Sequence, residues 1–372
     1  MKNNPLKVCI VIPTMNRPDF VIRQLKYYAA VKSPHPVYIG DASNGENSQK
    51  LQSAIEKLRK YLTINYYTYP KNTSVVDTHL DLDKKIKEKY YLVSGDDDYQ
   101  VPDSLTKCAE FLEHNPEYSS ASGHAIVFRL KNNGVYGELN RISDFPRNQI
   151  ESSTAAQRLI DFMANYSPTA LSVQKTEHVP KYYSEVNTII KDVAFAGEVL
   201  RCAMPSVLGK SKLLNCLGLV KQQGNPKPSG APNTFDWIIG KDWNSSFDIF
   251  CEILAKEIAA VDNIDIDEAR KAPKQAFWRY LNIWLPYDYK KIYGATINDR
   301  KKQNVNLLRR LRLRLGQKLP RLKNIYLRIS HSLPNAPREI FYEVTRPSSP
   351  YYKDFQPILG SLTGKYQDLY RN

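Results

Sequence analysis

Cysteine is scarce and scattered: Cys9, Cys108, Cys202, Cys216 and Cys251 are odd in number and form no C-x-x-C pair. That pattern excludes a disulfide framework and a cysteine zinc site, and it fits a reducing compartment. No stretch approaches the roughly 20 apolar residues needed to cross a bilayer, and the apolar run before Pro13 is too short for a secretory signal. A cytoplasmic location is therefore expected. No Gly-rich phosphate loop follows the first apolar run, where the chain reads PTMNRPD. Acids are also in deficit, at 38 Asp and Glu against 53 Lys and Arg, so the formal charge is +15. Such an excess favours anionic partners: nucleic acid, phosphorylated ligands or an anionic membrane surface.

What is present is a repeating order of apolar runs and helical patterns in a chain of 372 residues. That length suits two domains, or one with a substantial extension. Val8 to Ile12 is a β-branched run without polar alternation, the signature of a strand buried on both faces of a parallel sheet. A helical pattern (Phe20, Ile22, Leu25, Tyr28) and a second run, Val37 to Ile39, complete a βαβ unit, and its strands end in PTMNRPD and GDASNG. Leu62 to Tyr69 and Tyr90 to Val93 read as further strands, with a helix from Val75 between them. Ligands bind such α/β sheets at the carboxyl ends of the strands. Asp41 and the triplet Asp96, Asp97, Asp98 therefore fall on one edge. Three adjacent acids repel one another, and a fold that gathers them needs a cation there; the alternative is a solvated acidic turn.

The motifs in their order resemble family 2 of the inverting glycosyltransferases. The family's P-T-x-N-R stands as Pro13, Thr14, Met15, Asn16, Arg17, and its D-x-S as Asp41, Ala42, Ser43. An Asn-led turn at Asn72 then precedes a helix, a strand, the acids and Pro102. Gly95 stands where the first acid of the family's D-x-D is common, and His79 and Leu80 replace its Arg-Asn pair. The resemblance implies a GT-A-like fold: a Rossmann-like, mostly parallel central sheet flanked by helices, with a mainly helical C-terminal extension. It implies a nucleotide-sugar donor, a UDP-sugar by preference, and a divalent cation, Mn2+ or Mg2+. Asp97 and Asp98 would hold the metal, with Asp96 turned toward the ribose or sugar. Asp41 would accept from the base, with Pro13, Thr14, Asn16, Arg17 and Ser43 around the nucleoside; the other reading of Asp41 is an Asx-type turn.

An inverting transfer needs a general base for the acceptor hydroxyl. The family's G-E-D is represented by Gly197, Glu198, Val199, which assigns the base to Glu198, with Asp192 as the alternative; a Glu at that place also complements a helix dipole. Leu213 to Val220 reads as another strand, leading to Lys221, which the resemblance implies is near the donor diphosphate, with Gln222 and Gln223 beside it. His124 either lines the sugar pocket or is structural. Sequence pattern divides the chain into a catalytic domain over 1–230, a helical acceptor-side segment over 231–300 and a basic extension over 301–372. Trp237, Trp243, Trp278 and Trp284 lie in the second segment, where they either pack or meet sugars. Lys301 to Ile329 carries ten basic residues and no acid, and on a helix it would suit an anionic membrane presenting a lipid-linked acceptor. The expected acceptor is a glycan or lipid-linked glycan in surface polysaccharide synthesis. A nucleotidyltransferase acting on sugar phosphates is the enzymatic alternative. A nucleic-acid-binding protein ranks below both, because the positive charge is segregated without an RNA-binding motif.

Overall fold

The computed structural model describes residues 6–71, 73–183, 190–225, 232–294 and 340–368. Four parallel strands, β1 (Val8–Thr14), β2 (Val37–Asp41), β3 (Ile64–Thr68) and β4 (Tyr90–Val93), form one half of a nine-stranded sheet. The other half holds β5 (Tyr99–Gln100), β6 (Tyr118–Leu130), β7 (Leu139–Phe145), β8 (Val173–Lys175) and β9 (Lys210–Gln222). The order is β3-β2-β1-β4-β8-β6-β9-β5, with β7 paired to β6. Only β5, β7 and β8 run against the rest, so the sheet is mostly parallel, as expected. Register sets the site: Thr14 pairs with Asp41 and Asp41 with Thr68, so the carboxyl ends of three strands lie level.

The β1 run is buried on both faces because the sheet is covered on both. Val8, Ile10 and Ile12 enter one apolar core, while Cys9 and Val11 enter the other. The first core receives α1 (Pro18–Ala30), α2 (Gly45–Leu58) and α4 (Pro102–His114). Pro18 and Pro102 sit in the first turns of their helices, where a missing N–H costs nothing. The second core receives α3 (Val75–Asp83), α5 (Ala155–Ala164), α6 (Leu200–Leu208), α7 (Trp243–Asp262) and α8 (Lys271–Tyr293). Full burial of each Leu, Ile or Phe contributes about 1.5–3 kcal/mol, which is what commits the helices to these faces.

The C-terminal residues return to the sheet. In α9 (Tyr352–Leu362), Phe355, Ile358 and Leu362 enter the first core, and Tyr99 and Ser361 share a buried hydroxyl contact of 3.0 Å. Residues 340–368 thus pack with the N-terminal half, although sequence pattern grouped them with the basic extension. Lys301 to Ile329 lies outside the described residues, as does Asn72. Among the described residues no helix is long and apolar enough to cross a membrane.

Candidate active site

The three acids leave β4 in a loop that α1 clamps from behind. Gln24, fully buried in that helix, donates through Nε2 to the carbonyls of Asp98 (2.6 Å) and Gly95 (3.2 Å) and to Ser94 Oγ (3.0 Å). Arg23, equally buried, donates to the carbonyl of Asp97 at 2.8 Å and to Gln222 Oε1 at 2.8 Å, and it also bonds the carbonyl of Val135. These contacts fix the loop backbone, so the direction of each carboxylate is set before any ligand arrives. Neither residue stood out in the sequence. The signal was there: Gln24 shares the α1 stripe of Val21, Leu25 and Tyr28, and a polar residue within an apolar stripe needs a partner.

Each acid has its own cation or donor. Asp96 accepts from Arg17 Nη1 at 2.5 Å and Thr14 Oγ1 at 3.0 Å. Asp97 accepts through Oδ2 from Arg17 Nη2 at 2.8 Å and Asn225 Nδ2 at 3.0 Å. Asp98 accepts from Lys221 Nζ at 2.8 Å and the Gln222 N–H at 3.1 Å. Exposure differs: the side chain of Asp97 is 16% accessible, against 8% for Asp96 and 0% for Asp98. Burial pushes the Asp96 carboxyl up to about 7 despite the Arg17 charge. Burial also raises Asp98, whereas at Asp97 the bond and charge of Arg17 outweigh burial and hold it below the usual range. Lys221 is lowered by burial but raised on balance by Asp98 and Asp97.

Gly95 now has a physical account. A Cβ there would stand 2.7 Å from Asp98 Oδ2 and 3.1 Å from its Cγ, so the inward-turned Asp98 carboxylate fills the space an acid at 95 would need.

Asn16, at φ 57°, staples the first loop to the second. Its N–H donates to Ser43 Oγ at 2.7 Å, and its Oδ1 accepts from the Asn44 N–H at 2.9 Å. Asp41 is fully buried and accepts from the Ser43 N–H (2.9 Å), Ser48 Oγ (2.8 Å) and Tyr66 OH (2.7 Å). The first of these is the Asx-type contact, and Ser48 and Tyr66 are partners that sequence did not single out. Pro13 pairs with Gly40 on the adjoining strand.

Glu198 lies apart from the triplet, in a single π-helical turn over Phe195–Val199 that runs into α6. Such turns frequently mark functional sites. Gly197 allows α3 to approach: a Cβ there would be 2.9 Å from Val76 Cγ2. The Glu198 carboxylate is exposed and accepts from Tyr166 OH at 3.1 Å. Tyr166 in turn meets Tyr280 edge-on at 5.0 Å, which sets the carboxylate beside the aromatic helix α8. Asp192 is engaged otherwise: Oδ1 caps the Ala194 and Phe195 N–H groups, and Oδ2 accepts from Trp237 Nε1 at 2.9 Å. His124 sits edge-on to Tyr351 at 6.0 Å, lowered by burial. Gln223 accepts from Arg129 at 3.4 Å.

Could this edge hold a divalent cation? Among the described residues no three His, Cys, Asp or Glu side chains converge into a ready-made metal site. Both oxygens of Asp96 and of Asp98 have donors, and Asp97 Oδ1 is the oxygen with none among the described residues. One carboxylate oxygen without a donor, on the most accessible of the three acids, fits an ion that takes most of its shell from water and substrate phosphate, as Mg2+ does. A cavity of about 940 Å3 lies elsewhere, between α4 and the middle of β9.

No protein-family model matches the sequence, and no curated protein matches it. Among solved structures, the chain is similar to S. aureus TarS 1-349 in complex with UDP-GlcNAc, at 15% identity over 77% of this chain and 76% of that one, with a TM-score of 0.51. A further structure of TarS 1-349 matches at 15% identity over 78% of this chain and 76% of that one, with a TM-score of 0.49. At such identity the likeness is one of fold. The α/β, GT-A-like architecture expected from the sequence is the one present.

Proposed function

We propose that the chain is an inverting glycosyltransferase, moving a sugar from a nucleotide-diphosphate donor to a glycan or lipid-linked acceptor. The observation that carries this reading is the gathering of Thr14, Arg17, Asp96, Asp97 and Lys221 at the carboxyl edge of a sheet folded like TarS 1-349, which was solved with UDP-GlcNAc. A UDP-sugar is the donor we favour. Arg17 and Lys221 bring two positive charges to where the departing diphosphate gathers negative charge. Asp96 faces the ribose or sugar, and Asn16 and Ser43 hold the two loops of the nucleoside pocket together with Pro13 and Asp41. We assign a divalent cation, Mn2+ or Mg2+, to Asp97, with Oδ1 as the open ligand; Asp98, the second ligand expected from the sequence, has both oxygens held by Lys221 and the Gln222 N–H and would have to exchange one of them to join it. Such a cation, when bound, neutralises the diphosphate as a Lewis acid.

On the other side, Glu198 takes the proton of the acceptor hydroxyl. The acceptor oxygen then attacks the anomeric carbon from the face opposite the diphosphate, the new glycosidic bond forms as the bond to phosphate breaks, and the configuration inverts. An exposed carboxylate is suited to the base role, because it can meet an incoming hydroxyl.

Isothermal titration with UDP-GlcNAc and Mn2+ tests the donor half: binding is expected, with a loss of at least about tenfold in Asp97→Ala or in EDTA. Undiminished binding in EDTA would remove the metal assignment, and no binding of any nucleotide sugar would remove the transferase. We place the enzyme at the inner face of the membrane, in surface polysaccharide synthesis, on the strength of the basic run Lys301 to Ile329. Flotation with anionic but not with neutral liposomes is expected, and flotation with neither removes this placement.

A further inference from the structure

Helix α8 carries more aromatic surface than its packing uses. Phe277, Tyr280, Trp284 and Tyr287 recur every three or four residues and so form one stripe. Phe277 closes the apolar core at 2% exposure, Tyr280 and Trp284 are half-buried, and Tyr287 is 55% exposed. The rings are in contact along the stripe, with centroids 6.0 Å apart from Tyr280 to Trp284 and 5.5 Å apart from Trp284 to Tyr287. At its inner end, Tyr280 meets Tyr166 edge-on at 5.0 Å, and the Tyr166 hydroxyl donates to Glu198 at 3.1 Å. Trp284 Nε1 has no hydrogen-bond partner among the described residues. An aromatic ladder therefore descends from solvent to the exposed carboxylate, the Trp284 N–H being turned inward and buried.

We propose that Tyr280, Trp284 and Tyr287 form the acceptor subsite, that the acceptor is a carbohydrate chain of at least two sugar rings stacked along this stripe, and that Tyr166 positions Glu198 beneath its terminal hydroxyl. The inference rests on the reading of Glu198 as the base. Three features select a carbohydrate. Electron-rich ring faces attract the polarised C–H groups of a pyranose, and the Tyr287 hydroxyl at the exposed end supplies an edge donor for its hydroxyls. The rung spacing is that of successive sugar rings rather than of a single small molecule. The ladder also ends at a carboxylate, which accepts a hydroxyl and disfavours phosphate. Packing alone accounts for Phe277 but not for Tyr287.

The test uses the full chain on an immobilised oligosaccharide array, without donor. Retention of glycans of two or more rings is expected, weakened about tenfold in Trp284→Leu and in Tyr287→Ala, the size of one lost stacking contact. Tyr287 is a surface residue, so that variant should melt with the wild type and its effect cannot be ascribed to misfolding. Trp278→Ala is the control: it removes a 70% exposed ring, about 200° round the helix from Tyr280, and should change nothing. No retained glycan, or equal retention by Tyr287→Ala, overturns the subsite. So does binding to phosphatidylglycerol vesicles that Tyr287→Ala abolishes while no glycan is retained, because the stripe would then face lipid. UDP-GlcNAc titration of the wild type is run alongside: glycan binding without nucleotide binding keeps the subsite and removes the donor reading.

Discussion

The two sides of the site are built from opposite materials. On the side proposed for the donor each acid is held: Asp96, Asp97 and Asp98 are bonded by Arg17, Lys221, Asn225 and Thr14, over a loop pinned by Arg23 and Gln24. On the side proposed for the acceptor, Glu198 stands exposed on a π-turn with Tyr166 as its hydrogen-bond donor, beside a ladder of aromatic rings. Prefixed charge suits a diphosphate, which is the same in every donor. An open carboxylate and flat rings suit a neutral acceptor that must enter, turn and leave. The difference separates stability from chemistry: breaking the donor side should cost fold as well as function, and breaking the acceptor side should cost function alone.

The sharpest separation is Glu198→Gln. Transfer should fall by about 10²–10⁴-fold, the usual contribution of a general base, while the unfolding free energy moves by less than about 0.5 kcal/mol because the residue is exposed. A UDP-release assay with urea unfolding reads both. Wild-type turnover would move the base elsewhere, and Asp192, with both oxygens engaged, is the first place to look.

Lys221→Met tests the opposite side. It leaves Asp98, which is fully buried, with only the Gln222 N–H. Breaking a buried pair from one side costs about 3–5 kcal/mol, and the part-exposed lysine head places the expected loss near the lower end. Asp98→Asn in the same background should recover part of it, since the stranded charge is gone. If Lys221→Met unfolds like the wild type, the donor side is less fixed than its hydrogen bonds imply.

The same contrast governs what the sequence disclosed. Thr14, Asp41 and Asp96 to Asp98 were legible because a parallel sheet brings strand ends to one edge whatever lies between them. Arg17 came with them, one loop being enough to reach the acids. Arg23 and Asn225 were not legible, because their bonds cross 74 and 128 residues and nothing local marks them; Gln24 was marked as a polar residue in an apolar stripe, but its partner 74 residues away was not. Gly95 was legible as an anomaly, and its cause, the inward turn of Asp98, is a matter of three-dimensional space. The return of α9 to the first core also escaped sequence reading, since an amphipathic helix shows that it has a partner but not which one.

The two sides meet at α3, and the smallest effect tests that seam. Val76 packs on Gly197, and Asp83 receives the Arg201 guanidinium of α6 at 2.7 Å, both side chains almost wholly buried. Between them lies His79, buried, with Nδ1 lacking a partner among the described residues. Burial and then the Arg201 charge push its imidazole well below the usual range, so the folded protein keeps it neutral. The unfolded chain takes up that proton near pH ~6.5. Above this pH the two states bind equally and nothing is lost; as pH falls through it, only the unfolded state gains a proton, and stability declines by up to about 1.4 kcal/mol per pH unit. Urea midpoints at about pH 7.5, 6 and 5 should therefore fall in the wild type and fall less steeply in His79→Gln, by up to one proton's worth of slope. His35, His124 and His178 are also lowered by burial and leave a residual slope in the variant, while Asp96, raised to about 7, opposes them in both proteins alike and cancels in the comparison. An unchanged slope in His79→Gln would mean that the seam opens to let the imidazole charge, and that the two sides of the site are joined less firmly than the Asp83–Arg201 pair requires.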